Sequence, residues 1–300
     1  MFDLVKHKNK FLGVSAVFVI FGIASMAIFG FRLAVDFTGG SLWQIKVPGS
    51  DVQKIEELFK SDLNLPVSGI SFDRAENIYA VTLGELSDDD RQASFEIIKS
   101  KFSSAEDLDF WRVSPSVSKE LKQKSMTAVV LVMVAISLYV AFVFRKVSKP
   151  VSSWKYGLIT LITLAHDVII PAGVFALLGK FIGIAVDTNF IVALLVVMGF
   201  SVHDTIVVFD RIRENLTKAR TSDISLENIV NISVNETFVR SINTSLTLVL
   251  VLLSLYFWGP AGLQYFVLTM LVGTVVGTYS SIFVASPLLV VAHKFALKRG

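Results

Sequence analysis

Asp204 lies inside an apolar run, residues 190–209, where a membrane-spanning helix ordinarily carries no charge. Insertion scales place a carboxylate at the centre of such a helix about 2.5–3.5 kcal/mol above neutral insertion. A chain that keeps one there is usually moving protons or ions, or pairing charges that must move. Ser201, Asp204 and Thr205 are spaced i, i+3, i+4 and share one helix face. His203 is rotated by about 100° from Asp204 on the same helix. Asp204 precedes the boundary residue Asp210 by roughly 9 Å of helix rise. Two readings stand: a titrating carboxylate in an ion path, or an aspartate that snorkels or caps a neighbouring helix. The short aspartate stem snorkels poorly.

Other polar residues fall at membrane depth. Thr160, Thr163 and Asp167 follow i, i+3, i+7, with His166 alongside. Asp167 either joins Asp204 in a polar seam or hydrogen-bonds a neighbouring helix structurally. Arg240, Asn243, Thr244 and Thr247 form a polar stripe at the start of a later apolar run. Arg240 is either a counter-charge for Asp204 or an anchor at the membrane boundary. Gly273 and Gly277, followed by Ser280 and Ser281, allow close helix packing. Pro171 and Gly173 are expected to interrupt one span, and Pro287 to bend or end the last.

These residues do not make an enzyme motif. Ser201 and His203 point to different faces of a helix. The chain has no G-x-S-x-G, no H-E-x-x-H and no G-x-x-x-x-G-K-[ST]. With no cysteine, disulfides, thiolate catalysis and cysteine metal sites are excluded. The expected energy source is an ion gradient acting through Asp204, with no cofactor.

The elements that must position these groups are membrane spans. Hydrophobic residues make up 53% of 300 and mean hydropathy is +0.64. Apolar runs of roughly 18 residues or more read as spans, and six are predicted at 11–29, 126–144, 156–178, 183–209, 242–258 and 263–291. Lys6, Lys8 and Lys10 precede the first span. Arg145, Lys146, Lys149 and Lys155 fill the second connection, and Arg211, Arg213, Lys218, Arg220 and Arg240 the fourth. Lys294, Lys298 and Arg299 close the chain. By the excess of positive charge on cytoplasmic segments, both termini are expected in the cytoplasm and the insert between spans one and two on the other side. The net charge of +3 thus reports membrane orientation and does not argue for nucleic acid. Ser25–Met26–Ala27 would also serve as a signal-peptide cleavage site, although the apolar run before it is longer than a usual signal core.

The expected organisation is a cytoplasmic N-terminus with the first helix, 1–30, an outer domain, 31–124, and a five-helix membrane domain, 125–300. Within the outer domain, 41–47, 67–73, 77–83 and 109–114 read as strands. Helices are predicted at 52–60, capped by Ser50 or Asp51, and at 91–102, after Ser87 and three aspartates. Arg74, Ala75 and Glu76 form the hairpin turn. The fold class is therefore an α-helical polytopic membrane protein with a ferredoxin-like βαββαβ domain between helices one and two.

Four stretches carry a family resemblance: VDFTGG at 35–40, AHDVIIPAGVFALLG at 165–179, GFSVHDTIVVFDRIREN at 199–215, and SINTSLT with GTYSSIFVASPLLV near the C-terminus. Over essentially its whole length the chain resembles the SecD/SecF family of bacterial protein-export membrane proteins. The resemblance implies a six-helix half of a transporter related to the resistance–nodulation–division exporters, with SecD supplying the other half. It implies residence in the bacterial cytoplasmic membrane, association with the SecYEG channel, and use of the proton gradient to help draw unfolded secreted chains outward. It assigns the family's proton-path aspartate and arginine to Asp204 and Arg240, beside which His203, Asp167 and Ser201 stand as secondary candidates. Asp36, Gly39 and Gly40 mark the family motif at the start of the outer domain. One position departs from the pattern: the residue before the aspartate, often Asn in the family, is His203, a residue type whose ordinary range lies near neutral pH. Two rival classes remain. A proton-driven small-molecule exporter is expected to show internal duplication in a longer chain. A membrane assembly protein without a transport step would not need Asp204.

Overall fold

The computed structural model describes residues 3–73, 76–146, 151–219 and 224–297. Arg74 and Ala75 of the expected hairpin, and the cations Lys149, Arg220, Lys298 and Arg299, lie outside them. Among the described residues, six helices are long and apolar enough to cross a membrane. They are α1 (Lys8–Phe29), α5 (Pro115–Val143), α6 (Ser153–Ile182), α7 (Thr188–Lys218), α8 (Leu226–Trp258), and a sixth span made of α9 (Gln264–Ser280), a π-helical turn (Ser281–Ala285) and α10 (Ser286–Leu297). α8 starts well before the apolar run at 242, with Ser225 capping it through the Asn228 N–H. Its first half carries Glu227, Glu236 and Arg240 and so is invisible to a hydropathy window.

Two corrections concern proline. Pro171 sits inside α6 without interrupting it. Pro287 does not end the last span: the helix slips by one residue in the π turn just before it and then continues as α10.

The chain divides into two compact units. One holds the residues up to Gly30, Thr127–Leu177, and those from Asn189 onward. In it α6, α7 and the sixth span bury their polar and apolar faces, around Leu164, Met198, Phe209, Val230 and Leu289. α1 and α5 leave large apolar side chains exposed, among them Val17, Ile20, Leu131 and Leu138. These are compatible with lipid, which is as apolar as they are. Glycines set the closest approaches. A Cβ on Gly173 would sit 2.3 Å from the Gly22 Cα, and one on Gly277 would sit 2.9 Å from the Ser201 Cβ.

The second unit comprises Phe31–Met126 and Leu178–Thr188. The connection between the third and fourth spans therefore belongs with the insert, which hydropathy alone does not indicate. After a short helix, α2 (Val35–Thr38), come β1 (Gly40–Lys46), α3 (Val52–Glu57), β2 (Val67–Asp73), β3 (Ile78–Leu83), α4 (Asp88–Lys101) and β4 (Glu106–Val113). The sheet order is β2-β3-β1-β4 with every neighbour antiparallel, so each helical crossover skips one strand. Alternation in β1 turns Trp43 and Ile45 inward, against Phe59 and Ile98 from the helical layer. Trp43 Nε1 donates to Asp107 at 2.8 Å, which satisfies the indole in the core. Asp51 caps α3 and Ser87 caps α4. The helix expected through residue 60 instead ends at Glu57 and passes into a π turn, Leu58–Asp62.

Tyr79 is buried, and its hydroxyl donates to the Ser50 carbonyl at 2.8 Å. Burial, and secondarily the Asp51 charge, push its phenol pKa up. A raised folded-state pKa gives stability that is complete below the unfolded value, about 10, and is lost as pH climbs through the folded one. Tyr79→Phe should therefore lower stability at neutral pH, through the lost hydrogen bond, and flatten the alkaline decline. Urea unfolding followed by tryptophan emission on either side of about pH 10 measures this; an alkaline slope identical to wild type would exclude Tyr79 as its source.

Candidate functional site

α7 turns Ser201, Asp204 and Thr205 into the bundle, where Asp204 is 6% exposed. α6 does the same with Thr160, Thr163 and Asp167, the last wholly buried. The threonines return their hydroxyls to their own helices: Thr160 to the Tyr156 carbonyl, Thr163 to Ile159 and Thr205 to Ser201. The serines instead reach across to the carboxylates.

Asp204 Oδ1 accepts from Ser241 on α8 at 2.7 Å, and Oδ2 accepts from Ser281 at 2.5 Å. Asp167 Oδ2 accepts from Ser280 at 2.8 Å and from Ser201, while Oδ1 lies 2.8 Å from His166 Nδ1. His166 Nε2 is buried and, among the described residues, has no hydrogen-bond partner. Ser245 on α8 extends the polar layer through Thr278, at 2.6 Å. Asp204 thus sits in a cage of neutral hydroxyls, and Asp167 between two hydroxyls and an imidazole. A hydroxyl both donates and accepts, so such a cage can hold a carboxylate or a carboxylic acid.

The pairing of Asp204 with Arg240 is not made within this chain. Among the described residues no ion pair joins them, and Arg240 is exposed. Adjacent residues on a helix point about 100° apart, and α8 presents Ser241 to Asp204, not Arg240. The inward stripe of α8 is Thr237, Ser241 and Ser245. Asn243, Thr244 and Thr247 lie on the exposed side with Arg240. His203 is also exposed, so its imidazole does not stand against the Asp204 carboxylate. The positive residues at the end of α7 are matched locally. Arg211 contacts Glu214 and, on α8, Glu236 at 2.7 Å, and Arg213 contacts Asp210.

In the other unit, Asp36 Oδ2 accepts from the N–H and the hydroxyl of Thr188, the first residue of α7, at 2.9 and 2.6 Å. The strand-like segment before it pairs with Val186. Gly39 and Gly40 have φ of 76° and 111°, and a Cβ on Gly40 would lie 2.4 Å from the Leu83 carbonyl oxygen. Only glycine fits both demands.

Fold and site together define a multi-pass helical membrane protein with two buried carboxylates at the centre of its bundle and a small α+β unit between its first two spans. Residues 93–294 match the family described as protein export membrane protein SecD/SecF, C-terminal, and residues 24–47 match the SecD/SecF GG motif. The chain belongs to the SecD/SecF family. It is 42% identical to the protein translocase subunit SecF of Thermobaculum terrenum, over 97% of this chain and 93% of that one. The SecF subunit of Anaerolinea thermophila is 34% identical, with 97% and 94% covered. The crystal structure of SecDF from Thermus thermophilus superposes with a TM-score of 0.85 at 31% identity, and a SecDF in a super-membrane-facing form with 0.71 at 30%. The first match covers all of this chain and the second 99%, but each covers only 39% of the SecDF chain.

Proposed function

We propose that the chain is the SecF-type subunit of a bacterial protein translocase. It works with a SecD-type half and the SecYEG channel, and uses the proton gradient to draw unfolded secreted polypeptides across the cytoplasmic membrane. Both termini face the cytoplasm and the α+β unit faces the other side. Asp204 is the group that takes and releases the proton. The observation that carries this reading is a carboxylate at membrane depth held by two serine hydroxyls and, among the described residues, by no cation. Such a group can change charge without stranding a partner.

The role of Arg240 changes with its position. Together with His203, Asn243, Thr244 and Thr247 it puts polar side chains on the exposed side of the membrane bundle, where lipid is a costly neighbour. These residues support a protein-covered face, and the SecD-type half is the occupant, with Arg240 brought to the proton path at that interface. The chain contains no cysteine, so single cysteines at 243, 244 and 247 can be introduced directly. Each is expected to crosslink to the partner half in native membranes. If none of the three does so while a cysteine at the apolar position Leu131 does, the covered face is elsewhere and this placement of Arg240 is wrong.

A further inference from the structure

A serine hydroxyl has one proton to donate, and Ser280 and Ser281 each have two acceptors within reach. Ser281 Oγ lies 2.5 Å from Asp204 Oδ2 and 3.0 Å from the Thr278 carbonyl oxygen. Ser280 Oγ lies 2.8 Å from Asp167 Oδ2 and 3.1 Å from the Gly277 carbonyl oxygen. Both serines are fully buried. They are neighbours in the chain, the last residue of α9 and the first of the π turn. Ser201, one helical turn before Asp204 on α7, bonds Asp167. The two carboxylates are therefore joined twice, through α7 and through the Ser280–Ser281 peptide.

We propose that Ser280 and Ser281 are positioning residues that act as a paired hydrogen-bond switch, setting the proton affinity of Asp167 and Asp204 and registering proton uptake at both on one turn of the sixth span. The proposal rests on the reading of Asp204 as the proton-carrying group and adds Asp167 as a second site linked to it. While Asp204 is ionised, Ser281 donates to it. When Asp204 takes a proton, the new carboxyl O–H donates to Ser281 Oγ, and the serine proton swings to the Thr278 carbonyl. The only bond formed is the carboxyl O–H, and its proton comes from the path. Ser280 makes the same exchange between Asp167 and the Gly277 carbonyl.

The turn is built to respond. A π turn replaces i+4 bonds with i+5 bonds, a form common where helices adjust at functional sites. The buried Ser286 hydroxyl reaches back 3.4 Å to the Ser281 carbonyl. Among the described residues, His166 is the one titratable group within hydrogen-bond distance of either carboxylate. Arg240 on α8 and His203 on α7 face outward, and α1 has no charged residue between Phe11 and Phe29.

Carboxylic C=O bands in infrared spectra, recorded across pH on the purified full chain in nanodiscs, read the two sites separately. Asp204→Asn and Asp167→Asn assign the bands. Ser281→Ala should raise the Asp204 midpoint by up to about one pH unit, because the bond lost to the carboxylate is stronger than the one lost to the carboxylic acid. Ser280→Ala should do the same to Asp167. Ser281→Thr, which keeps the hydroxyl, should stay near wild type, and Ser281→Cys, a weak donor of similar volume, should shift in the same direction by less. Packing changes alone would not follow this order. An Asp204 midpoint unmoved in both the Ala and Cys variants overturns the switch, as does absence of a titrating carboxyl band. If midpoints move as expected but Asp204→Asn secretes normally, the switch stands and the proton-coupling reading fails. If Asp204→Asn is inactive but midpoints do not move, the reverse holds.

Discussion

Asp204→Asn is expected to reduce gradient-dependent secretion to the level of cells lacking the protein, while its abundance in the membrane stays close to wild type. The amide has the size of the carboxylate. Its oxygen can accept from one serine, and its NH2 can donate to the other, since a hydroxyl serves in both directions. The cage therefore survives, but nothing in it can take up a proton. Asp204→Ala should be worse for abundance, because the Ser241 hydroxyl loses its buried partner, at about 1–3 kcal/mol, while Ser281 can turn to the Thr278 carbonyl. Arg240→Met separates two models. Had Asp204 and Arg240 been a buried pair in this chain, removing the cation would strand the anion at about 3–5 kcal/mol and reduce abundance. With Arg240 on the exposed side, abundance should be unchanged and only secretion should fall, through the interface with the partner half. The double variant should be as abundant as Asp204→Asn and just as inactive. Immunoblots of membranes and a secretion assay with and without uncoupler settle all four. Normal secretion by Asp204→Asn ends the proton-coupling reading. Loss of Arg240→Met protein from the membrane, restored in the double variant, would reinstate the pair.

The second large effect is on packing. Gly277→Val should disrupt the centre of the bundle. Its Cβ would fall 2.9 Å from the Ser201 Cβ, and the clash is with the helix that carries Asp204. Overpacking of this kind costs about 1–3 kcal/mol, sometimes more. Here it also pulls α9 from α7 at the level where Ser280 and Ser201 meet Asp167. Gly199→Val is the matched control: it lies on α7, and a Cβ there meets nothing within 4 Å. Both introduce the same β-branched residue into a membrane helix, so propensity cancels. Thermal unfolding in detergent should show a lowered midpoint for Gly277→Val and little change for Gly199→Val. Equal midpoints would mean the helices separate at no cost.

Much of this is legible in the sequence. Alternation and capping gave the strand order along the chain, the Ser87 cap and a choice of Ser50 or Asp51 for the other cap, because a strand with one buried face must alternate and a helix start must satisfy its N–H groups. Spacing placed Ser201, Asp204 and Thr205 on one buried face, and likewise Thr160, Thr163 and Asp167. Small residues at 273 and 277 pointed to a close helix contact, which they make with Val197 and Ser201. The charged first half of α8 was missed, since a hydropathy window sees only the apolar half.

The chain's own residues determined that carboxylates would be buried in a membrane bundle, and on which face of each helix α6 and α7 would bury them. Both facts follow from composition and the helical repeat, which are local. The partners of those carboxylates were decided by tertiary structure alone. On α8 the stripes Arg240–Asn243–Thr244–Thr247 and Thr237–Ser241–Ser245 are both polar and both helical in period. A rotation of about 100° exchanges one for the other, and local sequence does not choose between them. Packing against α7 and the sixth span chose the serines, and placed Ser280 and Ser281, which resembled spacers, against Asp167 and Asp204. An uncharged hydroxyl can be buried at little cost beside a carboxylate, whereas a guanidinium must bring its own desolvation penalty, so the helix turned its arginine away.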